Sequence, residues 1–265
     1  MGLGQAYTHQ VVGRFMQGIK KRTGEVAKQE KALSKEVFDA VMEWCTYHWN
    51  RATTHEERLH ISQIASCHSS QFCVALRGEE MMIVEFAGVK NSLIHLTPGM
   101  HDMPYFSMCM NGPTKNNRQM GAKLNVACAG TTSSRIEAGL WMERYVRELS
   151  ESGVTSGYLY TLRPGQRSKL ADFSEVFYEP LESIQKELNS VIPADLDVRK
   201  EHGLWRSIRK GVTAHTITCK VEVELVNAIN HWRHEHNRRR PNQMVNACAD
   251  HEALMPTVLR HSFSL

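Results

Sequence analysis

Tyr105-Phe106-Ser107-Met108-Cys109-Met110, then Asn111-Gly112-Pro113, then Lys123-Leu124-Asn125-Val126-Ala127-Cys128 is the stretch that decides the fold class. The period of apolar positions changes between about Ile83 and Cys128 from helical to strand-like. Val89–Leu96, Tyr105–Met110 and Lys123–Cys128 read as short strands, with Asn-Gly-Pro as the turn signal. On either side the period is helical. Ser34 is an N-cap ahead of Val37, Ala40, Val41 and Trp44. A further helix spans about His55–Ala75, and Glu79-Glu80 opens the next, at the end where acids are favoured. Arg135–Leu149, Phe173–Leu188, His202–Thr218, Val221–His234 and His251–Phe263 are predicted helices, and Gly153–Lys169, punctuated by Arg163-Pro164-Gly165, is a loop. Residues 1–31 read as one helix (Val11, Val12, Phe15, Ile19) and a charged linker, residues 32–265 as the main domain. The expected fold is therefore α+β, mainly α-helical with a small antiparallel β-sheet near the middle.

Composition sets the outer limits. A chain of 265 residues, 42% hydrophobic and 23% charged, suits an ordinary globular protein. No apolar run approaches the roughly 20 residues that cross a bilayer, and the start lacks a secretory signal layout. Seven cysteines without paired spacing argue against a disulfide framework. The expectation is an intracellular protein, nuclear if eukaryotic, with no membrane partner. Net charge is only +4, but basic residues outnumber acids from Arg199 to Arg240, as a polyanion-binding surface requires.

Three stretches carry candidate chemistry. In Ala75-Leu76-Arg77-Gly78-Glu79-Glu80, an arginine at a helix start is placed to grip an anion. In Leu204-Trp205-Arg206-Ser207-Ile208-Arg209-Lys210-Gly211, Arg206 and Arg209 are three apart and share a helix face. Two guanidiniums on one face repel unless an anion or acids lie beside them. The third comprises Asn230-His231-Trp232-Arg233, Ala247-Cys248-Ala249-Asp250 and Pro256-Thr257-Val258-Leu259-Arg260.

In order and spacing, from about Ala32 onward, these pieces resemble the catalytic domain of the tyrosine recombinases (phage-integrase-like enzymes). Within that family they are most like the shortened versions carried by Crypton-type mobile elements. The resemblance implies the DNA breaking-rejoining fold, DNA as partner through backbone contacts, and no cofactor; it leaves room for a homo-oligomer on DNA. It implies Arg77 as the first catalytic arginine, Glu80 as its supporting acid and Arg209 as the second arginine. Lys115 would be the sheet lysine, with Lys123 as rival, and Trp232 the phosphate-contacting group; Arg206, Lys210 and Arg233 would lend phosphate-binding support. Such residues suit the reaction: arginine forks bind the non-bridging oxygens as they gain charge, and a lysine protonates the leaving alkoxide.

Two positions depart from the family. Arg206 stands where many recombinases carry a histidine. Cys248 stands where the family carries its tyrosine nucleophile, and a thiol falls short of a phosphorus placed for a phenol; about 1 Å of misplacement already costs roughly a hundredfold in rate. Only about 30 residues precede Ala32, so the separate N-terminal clamp domain of the family is also expected to be missing. The sequence thus predicts a recombinase-like domain of mobile-element origin that binds DNA with impaired strand cleavage, in effect a pseudoenzyme. The alternative is a non-catalytic DNA-binding or interaction module on the same scaffold. A metal site from His231, His234 and His236, with Cys248 or His251, lacks a standard ligand pattern and is not adopted.

Overall fold

The computed structural model describes residues 30–97, 99, 102–112, 123–162, 166–188 and 191–221, together with Leu259, Ser262 and Leu265. Cα packing divides the chain into two units, Met1–Glu30 and Lys31–Leu265, and every described helix and strand belongs to the second. Its helices are α1 (Lys35–Arg51), α2 (His55–Val74), α3 (Gly78–Met81), α4 (Phe86–Ser92), α5 (Ala138–Glu151), α6 (Ser174–Glu187), α7 (Val198–Glu201) and α8 (Leu204–Thr218). The strands β1 (Tyr105–Asn111) and β2 (Lys123–Ala129) form one two-stranded antiparallel sheet in the register Tyr105↔Ala129 to Asn111↔Lys123. The class is α+β and mostly helical, as the period change predicts.

Caps fix the first two helices. The Ser34 hydroxyl accepts from the Val37 N–H, and Thr54 and Glu57 form a reciprocal capping box ahead of α2. α2 then runs through the centre of the unit, packed against α1, α5, α6, α8 and β2. From Ile61 to Val74 nearly every residue is buried, including Ser62, Ser66, His68, Ser69, Ser70 and Gln71. Small side chains let neighbours approach on all sides. Several hydroxyls are satisfied within the helix: Ser62 donates to Leu59 O, Ser66 to Gln63 O and Ser69 to Ala65 O. A helix enclosed in this way needs no amphipathic stripe.

One predicted strand is corrected. Val89–Leu96 is the second half of α4 followed by a 3-10 turn, Leu93–Leu96. Phe86 and Val89, three apart, bury one face. Gly88 faces β1 so closely that an added Cβ would lie 2.5 Å from Cys109 Cβ. Ser92 ties the helix down by accepting from Ser107 N–H and donating to Val89 O. The hairpin's nearest backbone neighbour is instead a single bridge, Val84↔Met110.

The final described residues close onto β2. Ala129 N–H donates to Ser262 Oγ at 2.8 Å, Leu259 packs on Ala127 and Ala129, and Leu265 is buried. Leu259 and Ser262 are helical; the rest of the predicted His251–Phe263 helix, all of Val221–His234 beyond Val221, and the predicted helix in residues 1–31 lie outside the described residues. No described helix is long and apolar enough to cross a membrane.

Candidate functional site

Glycine decides which elements meet at the arginine end of α2. After Ala75, which ends α2 in the left-handed region (φ 48°), the chain turns into α3. The Gly78 Cα faces Trp205 and Leu170; a Cβ there would sit 2.6 Å from Trp205 Cδ1. Trp205, itself buried beside His68 and Phe177, is one turn before Arg209 on α8, so the two share a face. Gly211 does the same work on the other side of α8, where an added Cβ would overlap the Leu33 carbonyl. The chain at Leu33 hydrogen-bonds into α8 through Leu33 N–H to Ser207 O.

These close approaches bring Arg77 and Arg209, distant in sequence, into one electrostatic neighbourhood with Glu80. Glu80 is buried; one carboxylate oxygen accepts from the Arg77 backbone N–H at 2.8 Å and the other from its guanidinium at 2.7 Å. The carboxylate therefore orients Arg77 and offsets its charge. Arg209 is half-buried. Burial first, then the like charge of Arg77, lowers its pKa, while Glu80 raises it. It remains a cation, because arginine does not deprotonate in proteins. Two guanidiniums oriented around one carboxylate are the kind of groups that bind a phosphodiester. α3 is a single turn, so any grip comes from side chains rather than a helix dipole.

The other predicted site residues divide into two groups. Arg206 and Lys210 are exposed on α8, flanking Arg209. Lys115, Trp232, Arg233 and Cys248 lie outside the described residues, as do His231, His234 and His236. β1 ends at Asn111 and β2 begins at Lys123. Asn111 is pinned by its N–H to Ile83 O and by its side chain to Glu85, just past α3. That end of the hairpin is thus anchored to the segment that follows Arg77 and Glu80.

His68, in ring contact with Trp205, is fully buried and does not reach the surface. Burial pushes its pKa down to about 4, and its Nδ1 is engaged with Ile64 O. Sequence reasoning missed a second polar cluster at the opposite end of α2, where His55, Glu148 and Glu151 converge. Glu148 and Glu151 are three apart on a helix, which was readable; their meeting with His55 was not. No protein-family model and no curated protein matches the chain.

Proposed function

We propose that this chain is a tyrosine-recombinase-like, DNA-binding domain of mobile-element origin, gripping the DNA backbone with Arg77 and Arg209 and impaired in strand cleavage by the cysteine at position 248. The observation that carries the reading is the convergence of Arg77, Glu80 and Arg209 from two elements far apart in sequence. Arg206 and Lys210, exposed beside Arg209, extend the cationic face.

Two measurements test it. DNA binding is expected to weaken linearly in log K against log salt, and Arg77→Gln or Arg209→Gln each to lower that slope by about 1. Salt-insensitive binding, or slopes unchanged in both variants, would overturn the phosphate grip. With suicide-nicked DNA, the wild type is expected to give no covalent adduct. An adduct in Cys248→Tyr marks an enzyme disabled at its nucleophile; its absence favours a module that reuses the scaffold for binding or interaction alone.

A further inference from the structure

The first turn of α2 and the last turn of α5 bring three potential metal ligands together. His55 Nδ1 lies 3.0 Å from Glu148 Oε2 and 3.7 Å from Glu151 Oε2, and the ligand atoms of all three lie within 4.8 Å of one another. Ligands at about 2.0–2.1 Å from a tetrahedral zinc are roughly 3.3 Å apart, so the spacing accommodates a cation with little movement.

The hydrogen bonds around His55 fix its tautomer. Ser152 Oγ donates its one proton to the Glu148 carbonyl at 3.0 Å. The same oxygen is 2.7 Å from His55 Nε2, so there it accepts, and Nε2 carries the hydrogen. Nδ1 is left facing two carboxylates. A bare lone pair 3.0 Å from a carboxylate oxygen is repulsive, so either a proton or a metal ion must lie between them. His55 is the first residue of α2. Glu148 and Glu151 occupy the last turn of α5, where Arg58 and Arg147 offset part of their charge, Arg147 Nε lying 4.0 Å from Glu151 Oε1.

We propose that His55, Glu148 and Glu151 bind a divalent transition-metal ion, with Zn2+ best suited to one imidazole and two carboxylates. Ser152 holds the imidazole in the ligating tautomer. Arg58 Nε and an Arg147 guanidinium nitrogen, each 3.4 Å from a Glu148 oxygen, hold that buried carboxylate in place. His55 and Glu151 are partly exposed, with side chains 35% and 53% accessible, so the ion enters from solvent and staples the start of α2 to the end of α5.

The test is calorimetric titration of Zn2+ into the reduced 265-residue chain, compared with His55→Ala and Glu151→Gln at pH 7.5. Because thiols elsewhere can also take zinc, the difference between proteins is the readout. One wild-type site is expected to weaken at least tenfold in both variants, and Zn2+ to raise the thermal midpoint of the wild type alone. Equal stoichiometry and affinity in all three proteins, or no uptake by the wild type, would overturn the proposal. Glu151→Gln, at an exposed helix end, keeps the test open if His55→Ala folds poorly.

Discussion

α2 has a charged cluster at each end, and the two are built on different physics. Its 20 residues span about 30 Å. Beyond the C-terminal end, Arg77 and Arg209 gather around buried Glu80; at the N-terminal end, His55, Glu151 and two arginines gather around buried Glu148. Each cluster therefore has one buried glutamate at its centre. At the arginine end, Glu80 binds its own turn, and the elements meet because Gly78 and Gly211 offer no side chain. At the histidine end, Glu148 on α5 reaches across to His55 and Arg58 on α2, and the joining is done by polar side chains near the surface. The first end should respond to volume, the second to charge and cations.

The largest effect is expected at Gly211. Gly211→Ala drives a Cβ into the Leu33 carbonyl, which is backbone and cannot swing aside. A loss of about 3 kcal/mol, the upper part of the overpacking range, is expected in urea denaturation. If the substitution is neutral, packing does not build the arginine end.

Next comes His68, in the middle of α2. Its folded pKa is depressed to about 4 from 6.5, so the unfolded chain binds the proton more readily. Stability is full above about pH 6.5 and falls as pH drops toward the folded value. Between pH 7.5 and pH 5 the loss should be about 2 kcal/mol, and His68→Leu should remove that portion of the pH dependence. An unchanged pH profile in His68→Leu would assign the acid sensitivity to the clusters at the helix ends.

The smallest effect belongs to the pair His60–Glu179, which joins α2 to α6 through a 2.8 Å contact. The Glu179 hydrogen bond raises the His60 pKa. Its contribution is therefore fully present below about pH 6.5 and lost as pH rises through the higher folded value. Both side chains are exposed by 40% or more, so under about 1 kcal/mol is expected. A double-mutant cycle with His60→Ala and Glu179→Gln at pH 6 and pH 8.5 measures it. Equal coupling at both values would mean that packing rather than charge holds the pair.

Much of the fold was readable because its signals are local. Ser34 as a cap, α1's apolar spacing, the hairpin strands and the helices near Arg135–Leu149 and Phe173–Leu188 each depend on residues within a turn or two. Val89–Leu96 was misread because Leu93-Ile94-His95-Leu96 looks strand-like, whereas Gly88 and Ser92 dock the segment on β1 as helix. The buried character of Ser66, Ser69 and Ser70 was hidden for a related reason: their hydropathy gives no sign of a helix enclosed on every side. At the site, Arg77, Glu80 and Arg209 were named from the order of motifs, and the structure puts the three together. The His55 cluster gave no comparable signal, because its ligands come from two separated helices.

The sequence by itself determined, to within a few residues, where most of the described helices lie and that the hairpin strands interrupt them. Each of these depends on neighbours along the chain. The tertiary structure alone decided that Gly78 lies on Trp205, that Gly211 lies on Leu33, and that His55 meets Glu148. Such contacts depend on how closely two distant backbones approach, and that distance is set by the packing of the whole unit, not by any one segment of it.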